Sequence, residues 1–361
     1  MKYMFVKVED LQQGWHVNEA VLASTAHPII LKGTILTEQH IRFLKVFSIE
    51  FVDVVPPEEN PLSSINSAAS LNEFSLTVDM LEQQYHKTVK GIKEEFHKWQ
   101  SGMNVEIARI RTIILPLLTY VLENPEQLYR ISSFSKKEDY LFHHTAALGI
   151  LCGMIAQKMN YKKGMIVQAA LTGVLADSGM SKINYSLLNK KTALTEQEYK
   201  NIQNHPIFSY SMVKELRLLK PEVKLAIYQH HERIDGSGYP MGVKGNEIHP
   251  IAQIVGLADT YHALTTDRVF QDRQSAFKVI EFIQEDLFGK FDLPIMNALF
   301  SIVANLVPGT RVELSDGNKG KVLFVHQMHQ TRPLIQLSTG ELIDMVKRRD
   351  LHIEKVIGKQ L

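Results

Sequence analysis

Imidazole and carboxylate side chains recur at apolar, helix-patterned positions of this sequence. They are His144, Asp177, His205, His230, His231 and Asp259. A carboxylate on an apolar helix face costs several kcal/mol unless it is paired, hydrogen-bonded or bound to a metal. One such residue is ordinarily explained by a cap or a partner arginine, but this whole set is hard to explain residue by residue. Imidazole nitrogens and carboxylate oxygens together suit iron, manganese, zinc or nickel, so the set predicts a metal site.

The stretch HHERIDGSGYP, residues 230–240, joins the histidine pair to a glycine-containing loop. Adjacent residues on a helix point about 100° apart, so His230 and His231 can share one metal if they lie at a helix end. Glycines permit positive φ and close backbone approach, Pro240 stiffens the exit, and Asp235 can cap its own turn. We interpret this loop as the wall of a ligand pocket, although an isolated loop of this kind is usually a plain surface turn.

Composition and charge limit the classes of partner. The 361 residues contain 40 Lys and Arg against 39 Asp and Glu, a net charge of +1, so we expect no nucleic acid polymer as a partner. Cys152 is the single cysteine, which excludes an intrachain disulfide and a thiolate metal site. The charged start lacks an apolar signal core, and the most apolar run, residues 112–122, is too short to span a membrane. We therefore expect a cytoplasmic protein with no membrane span.

The pattern along the chain predicts a mainly α protein with small modules at both ends. Residues 1–55 alternate like strands around a helix and predict a small mixed α/β domain, and residues 56–74 have linker composition. Residues 75–130 have the apolar period of a helical connector, for which a dimerisation hairpin and an ordinary amphipathic pair both remain open. Residues 138–305 are helix-patterned nearly throughout, and residues 308–357 predict a small β module.

The helical region resembles HD-GYP domains, a branch of the HD metal-dependent phosphohydrolases. HHERIDGSGYPMGVKGNEI is similar to the signature of that family, and LLNKKTALTEQEYKNIQNHP and IVGLADTYHALTTDR stand in the family's order. The resemblance covers about residues 138–305. It implies an HD-type helical bundle with one or two divalent ions, iron or manganese. It also implies hydrolysis of cyclic di-GMP to pGpG or GMP in second-messenger signalling. A homodimer, suggested by the helices before the bundle, and a signalling partner protein are further expectations.

The resemblance assigns roles to individual residues. His144 and Asp259 match ligands of a first metal, and Asp177 matches the bridging carboxylate beside the activated water. The ligands of the second metal correspond to His205, His230 and His231. The pocket-lining motif and a phosphate-contacting position correspond to Asp235, Gly236, Gly238, Tyr239, Pro240 and Arg268.

The sequence departs from the family pattern at the His-Asp pair that gives the family its name. The histidine position is Ala176, and the position of a candidate proton-donating lysine is Met180. The second aspartate of the DxxDAL pattern is His262. Because His262 lies three residues after Asp259, on the same helix face, it is a candidate substitute ligand. Tyr140 stands where some members have a glutamate for a third metal.

Two functions remain open at this point. The first is a cyclic di-GMP phosphodiesterase, either working or impaired, with Ala176 and Met180 as the residues that put its activity in doubt. The alternative is a catalytically degenerate receptor or scaffold that binds a cyclic dinucleotide without turnover. Hydrolysis at a two-metal site needs both ions to activate water and hold the phosphate, so a lost ligand should reduce the rate more than binding.

Overall fold

In a computed structural model the chain forms two compact units, Met1–Ser75 and Leu76–Leu361. The structure describes residues 4–22, 28–30, 32–37, 40–41, 44–45, 49–55, 66–131, 134–135, 137, 139–188, 190, 192–267, 272–326 and 329–359, without the side chains of 22, 28–29, 66–79, 129, 185 and 358–359. Arg268 and residues 56–65 of the predicted linker lie outside this description.

The first unit contains short antiparallel strands around one small core. The strands are β1 (Met4–Lys7), β2 (His16–Val17), β3 (Val21–Leu22), β4 (Pro28–Ile30) and β5 (Phe51–Val55). They pair in the order β1-β5-β2 and β3-β4. Alternate side chains such as Val6, Val52 and Val54 are buried, which is the period expected of strands with one apolar face.

Two long helices precede the bundle, α1 (Asn66–Gln100) and α2 (Ile107–Glu123). The apolar period predicts the start of helix near residue 75, but α1 already begins at Asn66. Residues 66–74, NSAASLNEF, contain the helix formers Ala, Leu and Glu but no continuous apolar stripe, so periodicity does not detect this segment. In the second unit, Tyr85, Trp99 and Leu117 are fully buried where α1 and α2 pack against the helices that follow.

The bundle is built around one helix that is apolar on nearly all sides. The helices are α3 (Leu128–Ile131), α4 (Tyr140–Lys158), α5 (Lys163–Ala176), α6 (Tyr185–Leu188), α7 (Glu196–Ile202), α8 (His205–Val213), α9 (Pro221–Gln229), α10 (Pro250–Thr265), α11 (Ala276–Asp286) and α12 (Leu293–Val303). In α4 every residue from Phe142 to Ala156 is buried. A helix that is apolar all round must lie inside a core, so α4 fixes the centre of the bundle.

The chain ends in an antiparallel sheet of five strands. They are β6 (Thr310–Leu314), β7 (Lys319–His326), β8 (His329–Leu337), β9 (Leu342–Asp344) and β10 (Ile353–Lys359), in the order β10-β6-β7-β8-β9. Val312, Ile335 and Met345 of this part share one continuous core with the bundle helices. The predicted fold class, mainly α with a small β-containing part at each end, is confirmed. The finer domain boundaries remain predictions.

Within the described ranges, no helix combines the length and the apolar character needed to cross a membrane.

The contact between α4 and α5 depends on a glycine, which gives a first testable prediction. A Cβ atom on Gly173 would lie 2.6 Å from the backbone oxygen of Leu148 and 3.0 Å from Sγ of Cys152. We expect Gly173→Ala to lower the free energy of unfolding by about 1–3 kcal/mol, because the helices must move apart. Urea denaturation measures this change.

Gly164, in the first turn of the same helix, provides the control. A Cβ atom there meets nothing within 4 Å. Gly164→Ala should leave the stability unchanged or raise it slightly, since alanine is the better helix former. Equal stability of the two variants would contradict the close packing of α4 on α5.

Candidate metal centre

Four side chains bring their donor atoms together at the ends of three helices. Asp177 follows α5, His205 begins α8, and His230 and His231 follow α9. Among the described residues they form a cluster in which one ligand atom from each lies within 4.8 Å of the others. The position at a helix end lets the adjacent histidines face the same point, as the sequence predicts.

Two of the histidine rings are oriented by backbone carbonyl groups behind them. Nδ1 of His205 lies 2.8 Å from the carbonyl oxygen of Ile202, and Nδ1 of His230 lies 2.7 Å from that of Ile227. A carbonyl oxygen only accepts, so each Nδ1 carries a proton, and in the neutral ring each Nε2 is an unprotonated donor for a metal. The two Nε2 atoms are only 3.1 Å apart. Two lone pairs at this distance repel unless a cation lies between them, so the residues fit a bound metal ion.

Asp177 presents its two oxygens to different partners. Oδ1 is 3.1 Å from Nε2 of His205 and 3.8 Å from Nε2 of His230. Oδ2 is 3.6 Å from Nε2 of His144, which is itself 3.2 Å from Oδ1 of Asp259. Asp177 therefore lies between a three-histidine group and a second group of His144 and Asp259, where a bridging carboxylate would be placed.

Mutual pairing keeps the two carboxyl groups of the site ionised, as a metal requires. Burial by itself raises the pKa of the Asp177 carboxyl, but hydrogen bonds with histidines, led by His205, more than offset this and hold the pKa well below its usual value. Burial likewise opposes the ionised form of Asp259, yet the bond to His144 keeps its pKa below the usual range. Burial holds the pKa of His231 well below its usual value. Burial also opposes the charged form of His205, but its bond to Asp177 raises the pKa of that ring, so a metal would displace its proton.

The loop after the histidine pair packs directly on it. The ring of Tyr239 stacks on His231, with ring centroids 4.6 Å apart, and its backbone N–H donates to the His231 carbonyl oxygen at 3.2 Å. A Cβ atom on Gly238 would lie 2.4 Å from that same oxygen, so only glycine fits. The carboxylate of Glu232 accepts a 2.7 Å hydrogen bond from the N–H of Met241, which fixes the far end of the loop.

A cavity of about 650 Å³ opens beside the cluster. This volume lies within the usual range for small-molecule sites. The candidate ligands in its wall are His144, Asp177, His205, His231 and Asp259. From the loop, Gly238 and Tyr239 reach the cavity, whereas Asp235, Gly236 and Pro240 are not in its lining. Asp235 is exposed and caps its own turn by accepting from the backbone N–H of Ser237 at 2.9 Å.

Two cations of the cavity wall were not singled out from the sequence, Arg233 and Lys290. The guanidinium of Arg233 lies 4.7 Å from the ring centroid of Phe291 and donates to the Glu232 carbonyl oxygen at 2.9 Å. Arg233 lies inside the HHERIDGSGYP stretch, so its position was an available signal. Lys290 is remote in sequence from every motif, and only the fold brings it to the cavity.

The positions that depart from the family pattern also lie at the site. Ala176 is fully buried at the end of α5, and its carbonyl oxygen accepts from the hydroxyl of Ser209 at 2.6 Å. Its methyl group offers no ligand atom, so the second group consists of His144, Asp177 and Asp259. Met180 lines the cavity and has no titratable proton to donate.

Two further histidines, His262 and His143, lie next to His144. Nδ1 of His262 is 2.9 Å from Nδ1 of His144, on the side of the ring away from the Nε2 that faces the carboxylates. His143 lies on another face of α4, where Nδ1 is 3.0 Å from the hydroxyl of Tyr85.

Comparison with known proteins finds a family model and several relatives that match this region. Residues 131–292 match the family model of the HD domain. A cyclic di-GMP phosphodiesterase of Pseudomonas aeruginosa is 27% identical over 236 residues, 65% of this chain and 57% of that protein. Another, from Borreliella burgdorferi, is 27% identical over 60% of this chain and 57% of that protein. A 3'3'-cGAMP-specific phosphodiesterase of Vibrio cholerae is 26% identical over 51% of this chain and 40% of that protein. The chain thus matches between 40% and 57% of the length of these relatives.

A solved structure supports the fold. An HDG"Y"P protein from Bdellovibrio bacteriovorus superposes with a TM-score of 0.51 at 15% identity, covering 84% of this chain and 99% of that chain. This likeness concerns the fold and confirms the HD-type architecture predicted from the sequence. The family model, over residues 131–292, agrees with the HD domain that the resemblance implies.

The histidine pair gives the second testable prediction. Protein produced with added manganese or iron should contain metal by elemental analysis, and the double variant His230→Ala, His231→Ala should lose the ion of the three-histidine group. His329→Ala, at an exposed position of β8, is the control and should keep the metal content of the wild type. A double variant that keeps the full content would remove this cluster as the binding site.

Proposed function

We propose that this chain, whose residues 131–292 are an HD domain of the HD-GYP type, is a metal-dependent phosphodiesterase that hydrolyses a cyclic dinucleotide, with cyclic di-GMP as the preferred substrate. The observation that carries the proposal is the 3.1 Å approach of two Nε2 atoms whose Nδ1 protons are already committed to carbonyl groups. The approach favours a cation at the edge of a cavity large enough for a small molecule. The similarity to cyclic di-GMP phosphodiesterases supports the substrate class.

The proposed ligands fall into two groups that share Asp177. His205, His230 and His231 would complete one group, and His144 and Asp259 the other. The mixed nitrogen and oxygen donors suit divalent iron or manganese. When bound, such ions lower the pKa of a water molecule and offset negative charge on a phosphate.

The remaining residues of the cavity have proposed roles in binding. Arg233 and Lys290 bring positive charge to the wall, where charge-assisted hydrogen bonds to phosphate oxygens would form. Burial raises the pKa of the Tyr239 phenol, so its hydroxyl stays protonated at neutral pH and can only donate or accept a hydrogen bond. Since Met180 has no proton to give, the leaving oxygen must be protonated by solvent or by a neighbouring group.

The second candidate function is a receptor that binds the same ligand without turnover. Ala176 favours it, because the second group has three donors and one of them is shared. Loss of a first-sphere ligand weakens the ion on that side more than it weakens ligand contacts elsewhere in the cavity. Both functions use the same cavity, so turnover and binding must be measured together.

The cellular setting goes with this proposal. We propose that the protein acts in the cytoplasm, where it would bind a cyclic dinucleotide second messenger. The part of the chain outside residues 131–292 would connect the site to a signalling partner, and a homodimer would form through the long helices α1 and α2.

Turnover of cyclic di-GMP gives the third prediction. We expect slow hydrolysis by the wild type and an increase of roughly 10- to 100-fold or more in Ala176→His, since the added imidazole completes the second group. Chromatography of the products beside a binding titration measures both quantities, with 3'3'-cGAMP as a parallel substrate.

Ala176→Leu is the matched control, because it also enlarges a fully buried side chain but adds no ligand atom. It should not raise turnover. Binding by the wild type with no turnover, restored in Ala176→His, would establish the receptor instead. Measurable turnover by the wild type, as fast as that of Ala176→His, would exclude the receptor.

The cavity cations give the fourth prediction. Lys290→Met should weaken binding of cyclic di-GMP by roughly tenfold, about 1.4 kcal/mol, because one charge-assisted contact to phosphate is lost. Lys278→Met, at an exposed position of α11 outside the cavity, is the control and should bind as the wild type does. Equal affinities for the two variants would remove Lys290 from the binding site.

A further inference from the structure

We propose that His262 is a positioning residue for His144: it accepts the hydrogen bond from Nδ1–H of His144 and so leaves Nε2 of that ring free to bind a metal between Asp177 and Asp259. The inference rests on the proposed metal-dependent function. It gives His262 a role other than the direct ligand expected from its spacing after Asp259.

The contact between the two rings is short and enclosed. The two Nδ1 atoms are 2.9 Å apart, and the rings meet edge to face with centroids separated by 4.9 Å. His144 is 3% exposed and His262 is 6% exposed, so water does not compete for these nitrogens. One of the two Nδ1 atoms must carry a proton and the other must accept it.

The far side of His262 has an acceptor that allows this direction of the hydrogen bond. Its Nε2 lies 3.2 Å from the hydroxyl of Thr266, which is also buried. With Nε2–H of His262 donating to Thr266, its Nδ1 is the acceptor, and His144 must hold its proton on Nδ1. A metal can then replace any proton that Nε2 of His144 shares with Oδ1 of Asp259, 3.2 Å away, while Nδ1 keeps its own proton.

His144 needs such a partner because it has no free carbonyl. His205 and His230 each donate to the carbonyl three residues earlier in the chain. For His144 that residue is Leu141, inside the first turn of α4, and its carbonyl oxygen accepts from the hydroxyl of Thr145 at 2.8 Å. His262, on another helix, would therefore accept the Nδ1–H hydrogen bond of His144, as backbone carbonyls do for His205 and His230.

Tyr140 offers a second contact to the same nitrogen. Its hydroxyl is 3.2 Å from Nδ1 of His144, and its ring stacks on the imidazole with centroids 5.3 Å apart. His262 is closer and more deeply buried, so we assign it the acceptor role. Tyr140→Phe should change metal affinity less than threefold.

The test compares metal binding by three purified, full-length variants with the wild type, and it is the fifth prediction. His262→Phe keeps an aromatic ring but removes the acceptor, and it should weaken one manganese-binding event by roughly 10- to 100-fold. His262→Asn places an oxygen near the position of Nδ1 and should restore most of the affinity. His143→Phe is the matched control, since it alters a buried histidine next to His144 that faces Tyr85, and it should bind as the wild type does.

Titration of metal-free protein with manganese gives the affinity and the number of ions, and thermal unfolding checks that each variant is folded. Should His262→Phe fail to fold, the tautomer of His144 in wild-type protein loaded with zinc decides the question. Nitrogen-15 NMR of the histidine rings should then find the His144 proton on Nδ1; a proton on Nε2 would overturn the inference.

The outcomes separate this inference from the proposed function. No metal on the wild type would remove both. Metal on the wild type with equal affinity in His262→Phe and His143→Phe would overturn the role of His262 alone. A wild type that holds a single ion, unaffected by His262→Phe, would also overturn it while leaving the three-histidine group in place.

Discussion

The approach of His205 and His230 is the constraint on which the site depends. Each ring donates its Nδ1 proton to a backbone carbonyl, so the two Nε2 atoms meet with their lone pairs at 3.1 Å. In a buried site this arrangement is unfavourable without a shared positive charge. Asp177 lies 3.1 Å from the nearer nitrogen and supplies the anion that balances such a charge. The protein therefore holds its donors ready for a cation before one arrives.

The orientation of the histidine pair is maintained by close backbone contacts that leave no space for a side chain. Gly238 lets the loop touch the backbone of His231, and a Cβ atom there would lie 2.4 Å from its carbonyl oxygen. Gly256 of α10 has the same relation to His230, with a Cβ at 2.4 Å from that carbonyl oxygen. The histidine pair is thus enclosed by a loop on one side and a helix on the other, which keeps both rings near one orientation.

The two halves of the site are unequal, and this inequality bears on the function. In the three-histidine half, His205 and His230 have their orienting partners in the backbone, which a side-chain substitution leaves in place. The other half depends on His262 behind His144 and has Ala176 where the family has a histidine. A weaker second half would lower the rate of a two-metal hydrolysis more than the affinity for its substrate.

The sequence by itself determined the fold class and the candidate ligands. Apolar helical periodicity and histidines at apolar helix positions are local signals that a sequence contains. The stretch HHERIDGSGYP also places the histidine pair next to its loop. The sequence did not determine the early start of α1 at Asn66, because residues 66–74 lack an apolar stripe. Only the tertiary structure brought Lys290 to the cavity and His262 to Nδ1 of His144, since both contacts join residues far apart in the chain. Spacing tells which face of a helix a side chain shares, but the direction of a ring nitrogen depends on the partner that another helix supplies.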